Sequence, residues 1–266
     1  MKTIIDQTGN EIRVADEIES LVSLVPSLTE LLFFFKMDEK IKGVTDFCVH
    51  PVDKVVLKTK VGGPLNFDID KIESLRPDIV FASKGENSKG LVNKLMEKVP
   101  VFICDINSLE DAFKAIEKIG FICNQTDLAQ NLTQNLSISF DKLKEPTGIS
   151  VIYLVWEKPF IVAGNNTIVH DILTKTGIKN AFGGIKGYQK ITNKQLTEAQ
   201  ADIVLLPSEP FQFGQHHIEQ YKQLLPHCKV LLVDGQYFCW YGNRLLLAVN
   251  YLKNLKLLMQ SICKKL

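Results

Sequence analysis

The stretch DIDKIESLRPDIVF, residues 68–81, decides the fold because a second stretch of the chain repeats its pattern. Residues 192–205, TNKQLTEAQADIVL, align with it without a gap, so that Asp-Ile-Val at 78–80 matches Asp-Ile-Val at 202–204. The runs that follow, VFICD at 101–105 and VLLVD at 230–234, also correspond with a small shift. Two matches in the same order predict a duplicated architecture.

Short β-rich runs alternate with helical patterns along most of the chain, which predicts an α/β fold. The residues Ser27-Leu28-Thr29-Glu30 form a capping-box pattern that opens one of the helices. The predicted strands are Leu21–Leu24, Ile41–Thr45, Asp78–Phe81, Val101–Cys104, Ser150–Val155, Asp202–Leu206 and Lys229–Val233.

A long amphipathic helix is predicted between the two halves, over residues 126–145. Its apolar residues recur at four-residue spacing and form one stripe: Leu128, Leu132, Leu136 and Phe140, then Leu143. A rigid strut between two lobes explains such a helix, because a hinge would be rich in Gly, Ser or Pro. An ordinary packing helix is the alternative.

Composition excludes several classes of protein. The chain has 266 residues, of which 45% are hydrophobic and 23% charged, as in a folded globular protein. Its net charge of +1 gives no global attraction for nucleic acid or an anionic membrane. Apolar stretches such as Leu31–Phe35 are far shorter than the roughly 20 residues that span a bilayer. The first residues, MKTIIDQ, lack the apolar region of a secretory signal, which leaves a cytosolic chain or a removed leader.

Motifs of catalysis and of protein-bound metal are not apparent. The sequence has no G-x-S-x-G, Walker A, H-E-x-x-H or G-x-G-x-x-G pattern, so we predict a binding protein without enzymatic activity. Its six cysteines are scattered and are predicted to be buried thiols. Cys48 and His50 form only a two-ligand fragment, and metal binding or thiol chemistry there, with Cys239 as a further ligand, is the enzymatic alternative.

Aromatic residues concentrate just after the predicted strands, at residues 46–51, 156–160, 207–213 and 234–242. In open α/β sheets, ligands bind outside the carboxyl ends of the strands. Because loops are normally polar, these aromatic residues indicate a recognition surface for a large, flat and partly apolar ligand. The competing interpretation is that each ring only covers the end of a sheet.

The segments FCVHP, DIDKIESLRPDIVFASKGEN and DGQYFCWYGNRLLLAVNYL resemble the class III substrate-binding proteins of ABC importers, and most closely the cobalamin-binding members. The resemblance covers about residues 18–255. It implies two Rossmann-like α/β lobes with central sheets, residues 1–125 and 146–266. These are joined by a single backbone helix, 126–145, with the ligand in a cleft between the lobes. It further implies a small-molecule metal chelate as the ligand, no required cofactor and a monomeric protein.

The resemblance assigns ligand contacts residue by residue. Phe47, Phe160 and Tyr188 fall at cleft aromatics of the cobalamin binders, and Tyr237 and Phe238 at an aromatic pair. Four positions depart from the family: Pro64 and Ser83 replace tryptophans, Gln236 replaces an aspartate, and Trp240 replaces an arginine. The replacement of an aspartate by Gln236 and of an arginine by the aromatic Trp240 makes the predicted site more neutral. The full set of predicted contacts is Phe47, Cys48, His50, Pro64, Ser83, Trp156, Phe160, Tyr188, Gln236, Tyr237, Phe238 and Trp240.

The resemblance also implies delivery to an ABC permease and a periplasmic or membrane-associated location. Asp70 occupies the acidic docking position of the first lobe, whereas Lys194 stands at the equivalent position of the second, so Glu198 is predicted to substitute there. The best candidate ligand is cobalamin or a related corrinoid. Haem and a ferric siderophore are alternatives, as is an intracellular chelate sensor or carrier without a transporter.

Overall fold

The computed structural model describes residues 1–264, which form two compact units. The first comprises Met1–Ile106, Glu110–Asn135 and Trp240–Arg244, and the second comprises Asn107–Leu109, Leu136–Cys239 and, of the described residues, 245–264. The predicted domain boundaries stay a prediction. The units differ from them in three places: the segment 126–145 is divided after residue 135, residues 240–244 group with the first unit, and residues 107–109 group with the second.

The first unit contains a two-stranded antiparallel ribbon and a five-stranded parallel sheet with the order β5-β4-β3-β6-β7. Its strands are β1 Lys2–Ile5, β2 Glu11–Val14, β3 Leu21–Ser23, β4 Ile41–Val44, β5 Thr59–Lys60, β6 Ile79–Ser83 and β7 Val101–Cys104. The helices along this part of the chain are α1 Pro26–Phe34, α2 Val52–Val55, α3 Ile69–Ser74, α4 Lys89–Met96, α5 Leu109–Ile122 and α6 Thr126–Asp141.

The second unit contains a six-stranded mixed sheet with the order β11-β9-β8-β12-β13, in which β10 pairs in parallel with the start of β8. Its strands are β8 Ser150–Trp156, β9 Ile161–Ala163, β10 Lys179–Asn180, β11 Tyr188–Lys190, β12 Ile203–Pro207 and β13 Lys229–Val233. Its helices are α7 Ile168–Lys175, α8 Asn193–Thr197, α9 Gln215–Leu224, α10 Gln236–Cys239 and α11 Leu245–Cys263.

The predicted duplication is visible in the two sheets. The order β4-β3-β6-β7 in the first unit corresponds to β10-β8-β12-β13 in the second, with a short helix before β6 and before β12. Asp78 accepts hydrogen bonds from the backbone N–H groups of Glu19 and Ser20, at 2.7 and 2.9 Å. Asp202 accepts one from the N–H of Ser150 at 2.7 Å. Each aspartate thus ties the start of its strand to the start of the neighbouring strand.

The helix predicted over residues 126–145 begins as expected but ends earlier. α6 ends at Asp141, and a turn follows in which the N–H of Leu143 donates to the carbonyl of Phe140. The predicted apolar stripe is confirmed, because Leu132, Leu136 and Phe140 are all buried. The role of α6 as the link between two lobes stays a prediction. Among residues 1–264, the helices include none with the length and hydropathy of a membrane span.

Candidate functional site

In the first unit, the turn after β4 leaves the ring of Phe47 64% exposed. The turn is held by its backbone, because the N–H of Asp46 donates to Gly62 O at 3.0 Å. The ammonium group of Lys60 donates to Cys48 O at 3.2 Å. An exposed phenylalanine on a fixed turn supplies apolar area without the loss of backbone freedom on binding.

Cys48 belongs to the core of the first unit, which corrects its prediction as a ligand contact. Its side chain is 1% exposed, and the hydroxyls of Thr29 and Thr45 lie 3.0 and 3.1 Å from the sulfur. Burial raises the pKa of the Cys48 thiol, which disfavours the thiolate that metal binding and nucleophilic chemistry require. Residues 1–264 include no group of three or more His, Cys, Asp or Glu side chains placed to hold a metal ion.

Thiol titration tests this assignment. Burial raises the pKa of Cys123 to about 12 and that of Cys228 to about 11, and Cys48 and Cys104 are buried as well. We therefore expect an aromatic disulfide reagent at pH 8 to modify only the half-buried Cys239 and Cys263 before the protein unfolds. Cys48→Ser is expected to leave that fast-reacting count unchanged. A third fast thiol that disappears in this variant would restore the thiol-active alternative.

His50 and Trp240 meet within the first unit. Their ring centroids are 5.7 Å apart in an edge-to-face arrangement, and the guanidinium of Arg244 lies 4.8 Å from the centroid of Trp240. Arg244 in turn makes a bidentate ion pair with Glu30, with N–O distances of 2.7 and 2.9 Å. Trp240 is buried in this packing, so its side chain holds residues 240–244 against the rest of the first unit.

Asn87 organises the loops that contain Ser83 and Pro64. Its side-chain oxygen accepts from the N–H of Ser83 at 2.8 Å, and its amide donates to Leu24 O and Pro64 O at 3.1 and 3.0 Å. The ends of the adjacent strands β3 and β6 are joined in this way, at the edge where open α/β sheets bind ligands. Ser83 is buried and Pro64 half-buried, so the predicted contacts differ in accessibility.

In the second unit, Trp156 ends β8 and meets Phe211 from the loop after the adjacent strand β12. The two rings lie 5.2 Å apart edge to face, and Phe213 lies 4.6 Å from Phe211. Phe211 is not among the predicted contacts, although its position after a strand is the signal that identified the others. The two loops therefore form one aromatic cluster at the carboxyl ends of neighbouring strands.

Two buried polar side chains hold the loops of the aromatic cluster in place by hydrogen bonds. His217 is buried and its Nδ1 accepts from the N–H of Gly214 at 2.8 Å, so its ring fixes the start of α9. Glu157 is buried beside Trp156 and accepts from the amide of Gln220 at 2.6 Å. Both interactions stabilise the loops on which Trp156 and Phe211 stand.

The remaining predicted contacts of the second unit divide into exposed and buried groups. Tyr188 is 50% exposed on the edge strand β11, while Phe160 is half-buried against the core and lies 6.5 Å from Tyr221. Tyr237 stacks on Tyr251 with ring centroids 4.5 Å apart.

The loop around α10 corrects one further prediction. Phe238 is fully buried between Tyr153 and Tyr251, so its side chain offers no surface to a ligand. Its neighbour Gln236 is half-buried, and the N–H of Gln236 donates to Asp234 Oδ1 at 3.0 Å.

The predicted docking residues lie on the short helices that precede β6 and β12. Asp70 is in α3, with a 93% exposed carboxylate that accepts from Lys98 at 3.3 Å. Glu198 follows α8, and the ammonium of Lys194 lies 3.9 Å from its carboxylate. The two helices occupy corresponding places in the duplicated sheets. At the place in the second unit that corresponds to Asp70, the negative charge of Glu198 lies beside the positive charge of Lys194.

A family model described as "Periplasmic binding protein" matches residues 21–231. An uncharacterised ABC transporter substrate-binding lipoprotein, YvrC, of Bacillus subtilis (strain 168) is 25% identical over 215 residues, covering 76% of this chain and 68% of that protein. The vitamin B12-binding protein of Salmonella paratyphi A is 24% identical over 240 residues and covers 88% of both chains.

Solved structures share the same fold. The apo form of the periplasmic heme-binding protein RhuT from Roseiflexus sp. RS-1 superposes with a TM-score of 0.75 at 19% identity, covering 91% of this chain and 98% of that one. The matching family model spans most of the chain, both duplicated sheets included. The chain therefore belongs to the periplasmic binding proteins, the substrate-binding components of ABC importers.

Proposed function

We propose that this protein is a non-catalytic receptor that binds a bulky metal chelate for an ABC permease. The observation that carries the proposal is the exposure of aromatic rings at the strand ends. Within residues 1–264, the exposed Phe, Trp and Tyr side chains are Phe47, Phe121, Trp156 and Tyr188, and all of these except Phe121 are predicted ligand contacts. Rings left in water at those positions suit a ligand with a large apolar face.

Two chelate classes are candidates. A corrinoid is supported by the vitamin B12-binding relative that the chain matches over 88% of its length. Haem or a ferric siderophore is the second candidate, because a periplasmic heme-binding protein shares the fold of this chain. That residues of both lobes contact the same ligand stays a prediction. Delivery through Asp70 and Glu198 is part of the proposal and rests on their exposed acidic side chains.

Phe47→Ala is expected to weaken chelate binding about tenfold, because a stacked ring contributes about 1.4 kcal/mol. The fold should tolerate the change, since the ring is largely exposed. Phe121→Ala is the matched control: it removes an equally bulky ring, 47% exposed on α5, outside the loops. Cyanocobalamin, haemin and a ferric siderophore are titrated while tryptophan fluorescence is followed. Equal weakening by both variants, or no binding of any of the three to the wild-type protein, would overturn the proposal.

A further inference from the structure

At the edge strand β11 of the second unit, a tyrosine stands in the sequence between two lysines, one on the strand and one just before it. Tyr188 and Lys190 lie two residues apart on this strand, so their side chains point to the same face of the sheet. Lys186 lies two residues before Tyr188 and precedes the strand, in a bridge with Asn165. All three side chains are exposed.

Positive charge at this edge is not neutralised by neighbouring carboxylates. In the described part of the chain, neither Lys186 nor Lys190 has an ion pair within 4.0 Å. Lys158 lies in the turn that leads into β9, three residues before Ile161, which pairs with Lys190. Among the described residues, the one carboxylate within 4.0 Å of Lys158 is that of Glu157, at 3.9 Å, and the other oxygen of that buried group accepts from Gln220.

The backbone holds this edge rigidly. The N–H of Gly164 donates to Gly187 O at 2.9 Å, and the N–H of Gly187 donates to Asn165 O at 2.7 Å. A Cβ at position 164 would lie 2.1 Å from the carbonyl oxygen of Ile185, so only glycine permits this close approach. A rigid edge loses little freedom when it binds.

Lysines on an edge strand have a simpler explanation, since they prevent pairing with the edge of another chain. That explanation accounts for Lys186 and Lys190 but not for Tyr188. A half-exposed aromatic ring between them adds apolar surface to the edge, and apolar surface favours the pairing with another chain that edge lysines prevent. An aromatic ring flanked by unpaired ammonium groups instead matches a flat ligand with anionic substituents.

We infer that the chelate bound by this protein carries carboxylate groups, which Lys186 and Lys190 recognise while Tyr188 contacts the planar body. The inference rests on the proposed function and specifies its ligand class. It favours a macrocycle with carboxylates over a corrinoid whose side chains are neutral amides. Lysine supplies a point charge for a carboxylate, and the ring supplies apolar area beside it.

The test compares haemin with haemin dimethyl ester, which has the same ring without the two negative charges. For the double variant Lys186→Gln/Lys190→Gln, we expect haemin affinity to fall about five- to twentyfold, as for two partly exposed ion pairs. The affinity for the ester should change less than about twofold, because no ion pair is lost with it. Tyr188→Ala should weaken haemin and its ester equally.

Lys175→Gln/Lys179→Gln is the matched control, because it removes the same charge from exposed positions of the same unit outside this edge. Equal losses in the two double variants, or equal losses for haemin and its ester, would overturn the inference. Binding of cyanocobalamin but not haemin would also overturn it and leave the proposed function standing. If the wild-type protein binds none of the three chelates, the inference is overturned, and the proposed function is overturned with it if no ferric siderophore binds either.

Discussion

Arg244→Met is expected to lower the free energy of unfolding by about 3–5 kcal/mol, the cost of leaving one partner of a buried ion pair uncompensated. The guanidinium and the carboxylate of Glu30 are 8% and 13% exposed, so water reaches neither freely. Arg244 also lies over Trp240, whose packing against His50 seats the 240–244 segment on the first unit. The variant therefore loses both the ion pair and a cation–π contact.

Urea unfolding followed by circular dichroism measures the change. Arg13→Met is the matched control, because Arg13 pairs with Glu11 at 3.5 Å on the surface and an exposed pair contributes about 1 kcal/mol or less. In the double variant Arg244→Met/Glu30→Leu both charges of the pair are removed, so neither is left buried without its partner, and we expect this variant to regain more than half of the loss. A single variant as stable as Arg13→Met would show that the pair does not hold the segment in place.

Asp78→Ala is expected to lower the free energy of unfolding by about 2–4 kcal/mol, because two backbone N–H groups lose a charged acceptor. Asp202→Ala should lower it by about half as much, since one backbone N–H group donates to the Asp202 carboxylate, at 2.7 Å. The effect is structural: each aspartate aligns two neighbouring strands of its own sheet. Substitution in either unit should therefore lower stability in the same direction.

The same urea experiment applies, with asparagine at each position as the conservative variant. Asparagine keeps an acceptor oxygen without its charge, so Asp78→Asn should lose less stability than Asp78→Ala. Asp141→Ala is the control, since that carboxylate is exposed at the end of α6 and its nearest ammonium is 3.9 Å away. An Asp78→Ala variant within about 0.5 kcal/mol of this control would contradict the assigned role.

The strands were predictable because their signal is local. All seven predicted strands are present, for example β6 at Ile79–Ser83 and β12 at Ile203–Pro207, and their ends differ from the predicted ones by at most two residues. Short runs of β-branched residues bounded by turn residues specify such strands without reference to the rest of the chain. The end of α6 was less predictable, because the helix ends at Asp141, several residues before Pro146 and Gly148, the stop residues that the sequence offers.

The candidate site was predictable only in part. Strand-end position identified Phe47 and Trp156, and the family resemblance identified Tyr188; all three rings are exposed. It could not separate them from Cys48 and Phe238, which follow strands in the same way but are buried. Loops have no periodicity, so the sequence does not show which side of a loop faces the core. Phe211 and Asn87 were missed for the same reason.

By itself, the sequence determined the duplicated α/β architecture, the family and the loops in which a ligand site is expected, since periodicity and repetition are properties of neighbouring residues. Tertiary structure alone decided that Arg244 returns to the first unit to pair with Glu30 across 214 residues, and that Tyr188 stands between unpaired lysines at a sheet edge. Burial and charge pairing depend on residues that are distant in sequence, and the chain must fold before they meet.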